Sequence, residues 1–423
     1  MSHSRILSFS FCFLMTVLSC FSQQNRNTSF PNFPFKNPTP GEITIMAIDP
    51  IPADVTPSRE AFHEFIACGF NLASSRGSVS YFKNVFALLG DLKLKYLIGN
   101  PKFTEPNTRK EYINNFKNDP HLGGWFLKDE PAYTSWDELS ELYKAFSKED
   151  PDHLIYINLV GMINENFTGK CKTIAEYLNL YQNKFLPSLL SYDYYPIINI
   201  NGKTQVKYDQ FYSDLEVFSA MAKKTSRPFW AFCESMAYKN KWNSRPAPTE
   251  PYLKFEAFNA LAYGAQGIVY WTYSLRNSTP IETYISSLVD LKGKKSKAWY
   301  AAQKVNMEIK KFNHIFYQCE VKEVKHTGKT QYQDTKKLTG TIGPLKSVSS
   351  GAAGVLISRI ENNGEKYMVI VNHDPFNKQK VTLKLNSGKS VVNLTAVNQV
   401  RYSGTGNINL TLDKADWVIL KEG

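Results

Sequence analysis

Three short stretches place reactive or sugar-stacking side chains where apolar runs end. In GGWFLKDEP, residues 123–131, such a run ends in two adjacent carboxylates, Asp129 and Glu130, and Pro131 stops the strand behind them. In PFWAFCES, residues 228–235, a second run ends in Glu234. In IVYWTYS, residues 268–274, a third ends among aromatics, Trp271 and Tyr273. Two carboxyl groups facing each other can divide the work of breaking an acetal. One protonates the leaving oxygen while the other attacks the carbon or activates water. The acid must keep its proton near neutral pH, which calls for an apolar setting or a neighbouring negative charge. Glu130 has Trp125 and Phe126 upstream and Asp129 beside it. Glu234 follows Trp230 and Phe232 at one strand parity, so both rings are expected beneath it on the same face.

These stretches need elements to hold them. From residue 43 the chain alternates short apolar runs with longer amphipathic ones. The runs predict strands at 43–49, 70–76, 95–100, 124–129, 154–159, 189–194, 228–233 and 267–272. Helical patterns lie between them at 58–68, 109–118, 136–148, 208–223 and 252–263, and a last one covers 296–312. Eight strand–helix units in order predict an α/β fold, a (β/α)₈ TIM barrel. A doubly wound sheet is the alternative, but the first turn, Asp49-Pro50-Ile51-Pro52, lacks the glycine-rich phosphate loop. In a barrel the chemistry sits at the C-terminal strand ends. There the sequence offers Asp49, Arg76, Asn100, Asp129, Glu130, Asn158, Tyr192, Asp193, Tyr194, Tyr195, Glu234, Trp271 and Tyr273. Carboxylates, amides, a guanidinium and aromatic faces suit hydroxyl-rich sugar rings. None of the seven histidines falls at such an end, which argues against a metal-dependent hydrolase and against a Ser-His-Asp one. No metal and no cofactor is expected.

This arrangement resembles the clan A (β/α)₈ retaining glycoside hydrolases. They carry an acid/base glutamate after strand four, commonly as Asn-Glu-Pro, and a nucleophile glutamate after strand seven. KDEP with Glu130, FCES with Glu234 and YWTYS with Trp271 are similar to those three places. The resemblance implies that Arg76, after strand two, is the arginine beside the nucleophile. It also implies that Tyr194 or Tyr195 is the tyrosine that touches it, with Asp129, Arg76, Asn158, Tyr194, Tyr195 and Trp271 contacting a carbohydrate substrate. One departure stands out: the clan's asparagine before the acid is Asp129 here, which accepts but cannot donate as an amide does. Two other readings fit the same residues, an inverting hydrolase and a non-catalytic surface glycan-binding lipoprotein on a degenerate barrel. A binder has no reason to keep both Glu130 and Glu234. Tyr238 and Trp242, in the loop after strand seven, either line sugar subsites or pack on the loop.

The remaining sequence frames the barrel. Residues 1–22 read as an export signal. Val17-Leu18-Ser19-Cys20 resembles the lipobox of bacterial lipoproteins, with Cys20 as the lipidated residue, and ordinary cleavage after Ser22 is the rival reading. Residues 23–42, rich in Asn and Pro, suit a tether. The barrel is expected over 43–313. Over 314–423 period-two runs separated by Asn-Gly and Ser-Gly turns predict a small antiparallel β-sandwich, with Trp417 in its core. The expected location is outside the cytoplasm, in the periplasm or on the cell surface, with membrane contact only through the N-terminal lipid. Cys68, Cys171, Cys233 and Cys319 match no metal motif and form too sparse a set for a disulfide framework. The net charge of +12 is spread over scattered lysines. It suits a solvated basic surface, and no nucleic-acid partner is expected.

Overall fold

Strands covered by helices on one side and by barrel filling on the other have no wet face, so they read as near-continuous apolar runs. The eight runs behave that way. The structure, a computed structural model, describes residues 35–423; the signal, Cys20 and most of the tether lie outside the described residues. The barrel strands are β1 (Thr44–Ile48), β2 (Leu72–Arg76), β3 (Lys95–Gly99), β4 (Leu122–Asp129), β5 (Leu154–Val160), β6 (Leu190–Asp193), β7 (Phe229–Glu234) and β8 (Gly267–Trp271). Each pairs in parallel with its sequence neighbour, and β8 closes onto β1 with Gly267 opposite Thr44. The expected closed barrel is therefore present.

Its interior is filled by Met46, Leu72, Leu97, Phe126, Tyr156, Trp230, Phe232 and Val269, all buried. The expectation that Trp230 and Phe232 lie on the inner face beneath Glu234 is met. Trp230 needs room on β8: a Cβ at Gly267 would come within 2.5 Å of the indole, so glycine lets that ring lie flat against the strand. Trp125 points outward instead, into the core under the helices, where its Nε1 donates to Asp150 at 2.8 Å.

Among the described residues the longer helices around the barrel are α1 (Arg59–Ala67), α2 (Val79–Leu89), α3 (Pro106–Phe116), α4 (Trp136–Glu149), α5 (Ile174–Phe185), α6 (Tyr208–Thr225), α7 (Glu250–Ala262) and α8 (Lys297–Lys311). Periodicity alone does not mark α2 and α5. Their start signals are nonetheless in the sequence, since Ser78 caps α2 through the Tyr81 N–H and Thr173 caps α5 through the Glu176 N–H.

Beyond α8 the chain forms antiparallel sheets. A six-stranded one runs Glu320–His326, Val355–Asn362, Glu365–Asn372, Trp417–Glu422, Ser390–Asn393 and Val400–Ser403 in spatial order. A three-stranded one joins Leu345–Ser350, Gln379–Leu385 and Asn407–Leu412. Alternate side chains, among them Val355, Ile357, Met368, Ile370, Leu383 and Leu420, make one apolar layer between the two. Trp417 is buried as expected, but on the barrel side. Its ring stacks on Phe258 of α7, with centroids 3.7 Å apart, and on Phe316 at 5.0 Å, while Nε1 donates to Glu308 at 2.6 Å. It pins the sandwich to the barrel. The four cysteines of the described residues are buried and none is in a disulfide.

Candidate active site

Two neighbouring acids serving one mouth face a geometric obstacle, because successive strand residues point to opposite faces. Two local features solve it. A register irregularity in β4 between Phe126 and Lys128 resets the alternation, so that Asp129 lies opposite Asn158 of β5. Glu130 then takes a left-handed backbone, φ 41°, with its N–H bonded to the Asn158 carbonyl at 3.0 Å. A non-glycine residue there is uncommon and costs on the order of 1 kcal/mol or more. The turn brings Glu130 to the same group of carboxyls as Asp129.

The third member of that group is Asp193, at the end of β6. Asn158, fully buried, donates from Nδ2 to Asp129 at 3.1 Å and to Asp193 at 3.0 Å, and its Oδ1 accepts from Ser191 at 3.0 Å. Asn158 was expected to contact substrate. Its amide is instead spent inside the wall, holding two carboxylates apart at fixed positions. Burial, and then the charge of Asp129, push the Glu130 carboxyl up to about 7. Asp193 acts on Glu130 in the opposite sense to burial and lowers it. Burial, followed by Glu130 and Asp129, raises Asp193 well above the usual carboxylate range. Burial also raises Asp129, against the Asn158 hydrogen bond and the charges of Arg76, Arg276 and Lys128. Three carboxyls this close cannot all ionise, so the cluster stores a proton near neutral pH.

Glu234 stands at the end of β7, opposite Trp271 in register, and is 6% exposed. Its Oε1 accepts the Met236 N–H at 3.3 Å, and its Oε2 has no hydrogen bond. Burial pushes this carboxyl up to about 8, opposed by Arg245 and by the Met236 N–H. The guanidinium beside Glu234 belongs to Arg245, whose Nε is 3.8 Å from Oε2. This corrects the expectation for Arg76. Arg76 is exposed at the end of β2, and its charge bears on Asp129 across the mouth. Arg245 itself is anchored by the backbone carbonyls of Tyr195 and Ile197. It sits in an irregular loop eleven positions after Glu234, where neither periodicity nor motif marks it.

Of the two tyrosines after β6, only Tyr195 faces the mouth. Burial raises its phenol, and the charges of Asp193, Glu234, Asp129 and Glu130 raise it further, so one hydroxyl feels both carboxyl groups of the site. Tyr194 turns away, against Gly161 and the buried Asp214 behind the strand. Trp271 forms a wall with Tyr195 at 6.1 Å, Tyr238 at 5.5 Å and Tyr284 at 6.2 Å between ring centroids. Arg276 lies 5.4 Å over the Trp271 ring and is ion-paired to Asp49 at 2.7 Å. The two long loops after β7 and β8 join here as a two-stranded flap, Ala237–Asn240 against Glu282–Ser286. Tyr238, on the first strand of the flap, is buried, and Trp242 beyond it is 70% exposed. The sequence reading missed Arg245, Asp193, Arg276 and Tyr284 as site residues. Only Asp193 carried a visible signal, as the acid of the Tyr192–Tyr195 strand end.

Paired carboxyls after strands four and seven of a closed (β/α)₈ barrel, with a tyrosine near both and a tryptophan wall, are similar to the site of the clan A retaining glycoside hydrolases. Residues 137–312 match the family model described as β-galactosidase, Glyco_hydro_42. The matched stretch contains Asp193, Tyr195, Glu234, Arg245 and Trp271, and it begins just after Glu130. The fold is shared with a catalytic mutant of Gan42B, a β-galactosidase from G. stearothermophilus, at 9% identity and a TM-score of 0.58, over 94% of this chain and 99% of that one. It is also shared with a β-galactosidase from Bacillus circulans sp. alkalophilus, at 8% identity and a TM-score of 0.59, over 90% and 99%. A glycoside hydrolase family 5 protein from Bacteroides vulgatus aligns at 10% identity and a TM-score of 0.53, over 90% and 89%. No curated protein sequence matches the chain.

Proposed function

We propose that this hydrolase is an exported enzyme that removes β-linked galactosyl units from oligo- or polysaccharides, with Glu130 as acid/base and Glu234 as nucleophile. The observation that carries the assignment of roles is the asymmetry of the two ends: Glu234 has the Arg245 guanidinium 3.8 Å from its Oε2, while Glu130 follows Asp129 directly at the end of β4. The carboxylate of Glu234 attacks the anomeric carbon, and the bond to the leaving oxygen breaks with its electron pair on that oxygen. Glu130 delivers its proton there. Water then attacks the glycosyl ester, Glu130 takes the water's proton, and Glu234 leaves as a carboxylate. Arg245 opposes the burial that raises Glu234, but with Glu234 pushed up to about 8 and Glu130 to about 7 the reactive state, Glu234 ionised and Glu130 protonated, is a minor one that is most populated between those two values. Asp129 and Asp193 tune Glu130 rather than react. Trp271 and Tyr238 offer flat faces to the sugar. The galactosyl choice is supported by the family match over 137–312. Export and lipidation are supported by the sequence of residues 1–22.

The test is a panel of aryl β- and α-glycosides with the purified protein. Hydrolysis of the β-galactoside with retention, followed by proton NMR, is the expected result. Preference for another sugar would replace the galactosyl assignment, and release of the inverted sugar would overturn the roles. Membrane fractionation of Cys20→Ser checks the tether, and a variant that stays membrane-bound refutes it.

A further inference from the structure

Helix α7 is almost wholly buried: Leu253, Phe255, Ala257, Phe258, Leu261 and Ala262 all pack into the core. Glu256 sits among them, 2% exposed. A carboxyl group in such a place is costly unless it satisfies a polar partner. Its partner is the backbone of Glu234, whose N–H donates to Glu256 Oε2 at 2.7 Å.

The strand geometry explains why that N–H needs a side-chain acceptor. Alternate N–H groups of a strand point to opposite neighbours, and the Ser235 N–H goes to the Trp271 carbonyl of β8. The Glu234 N–H therefore points to the β6 side. There the pairing of β6 with β7 stops at Tyr192 opposite Ala231, so no strand acceptor is available three residues further on. Glu256 stands in for the missing rung. Arg245, the cation beside the Glu234 carboxyl, also acts electrostatically on Glu256.

We propose that Glu256 is a positioning residue of the active site: by clamping the Glu234 N–H it fixes the end of β7, and with it the aim of the Glu234 carboxylate. The proposal rests on Glu234 acting as nucleophile. A displacement of about 1 Å in a reacting group costs on the order of 100-fold in rate. Removal of the clamp should therefore lower the rate of the bound complex rather than weaken binding.

The experiment compares Glu256→Met, which keeps the length but not the acceptor, with Glu256→Gln, which keeps an acceptor oxygen. Glu234→Gln is the control, and the substrate is an aryl glycoside that the wild type cleaves. Glu256→Met should lose roughly 10- to 100-fold in kcat with KM within about threefold, and Glu256→Gln should stay within about threefold of wild type. Glu256→Asp draws the carboxyl back by one methylene and should also lose kcat, which keeps the test open should the methionine variant not fold. A substrate-free reading comes from the Glu234 amide proton in ¹⁵N spectra, which should move upfield in Glu256→Met and stay in Glu256→Gln. Wild-type kcat in folded Glu256→Met, or an unmoved amide, overturns the proposal. A Glu234→Gln variant of normal activity would instead remove the nucleophile assignment itself, and the two failures are told apart by that control.

Discussion

Glu234→Gln should inactivate the enzyme and stabilise it, and the gain should depend on pH. In the folded chain the Glu234 carboxyl is pushed up to about 8 because burial outweighs Arg245 and the Met236 N–H. In the unfolded chain it ionises near the ordinary glutamate value, 4.5. The folded state thus binds this proton more tightly, so the side chain costs stability as pH rises from the unfolded value through the folded one. Below about pH 4.5 the cost is absent. At pH 7 the gap of two and a half units corresponds to roughly 3 kcal/mol, at about 1.4 kcal/mol per unit, and above pH 8 it levels off. Glutamine fills the same space, keeps an acceptor for the Met236 N–H and carries no charge to desolvate. Loss of the ionic contact with Arg245 trims the benefit, so a gain of roughly 1–3 kcal/mol is expected at pH 8.5 and close to none at pH 4.5. Denaturant unfolding of both proteins across pH 4.5–8.5, with activity measured in parallel, provides the assay. A variant no more stable than wild type at pH 8.5, or equally stabilised at both ends, would refute the claim that this carboxyl is held against its charge. The same variant should lose at least about 1,000-fold in kcat, since no carboxylate remains to attack.

Three further outcomes follow from the same geometry. Glu130→Gln should slow hydrolysis of substrates with poor leaving groups by about 100-fold or more while sparing activated aryl glycosides, because only the former need the proton; equal losses on both would unseat Glu130 as the acid. The profile of kcat/KM should be a bell, since Glu234 must lose a proton while Glu130 keeps one. With the two carboxyls pushed up to about 8 and about 7, its maximum should fall from neutral to mildly alkaline pH, and an optimum below about pH 5.5 contradicts the electrostatics. Trp417→Ala removes the ring stacked on Phe258 and Phe316 and should cost about 3–5 kcal/mol in unfolding free energy; a loss under about 1 kcal/mol would mean the sandwich is not pinned there.

The sequence by itself determined the barrel and the strands that bear the chemistry. Strands buried on both faces must be apolar along their length, so eight such runs between amphipathic helices were visible without coordinates, as was the period-two pattern of the C-terminal sheets. It also determined that Glu130 and Glu234 end the fourth and seventh strands, because strand ends are where an apolar run meets polar residues. What only the tertiary structure decided is how side chains leave those ends. The irregularity between Phe126 and Lys128 and the positive φ of Glu130 turn Asp129 and Glu130 into one cluster, and neither is written in a residue pattern. Tyr195 rather than Tyr194 faces the carboxyls for the same reason: one step of backbone direction chooses between neighbours. Asn158 sits at a strand end, as a substrate contact would, yet its amide is consumed by Asp129 and Asp193, which only pairing across β4, β5 and β6 brings within reach. Arg245 displaces Arg76 at Glu234 because a loop without periodicity folds back over the mouth, and Glu256 reaches Glu234 from a helix twenty-two residues further along. Local sequence encodes which face of an element is apolar; which charges then meet depends on contacts between residues far apart in the chain.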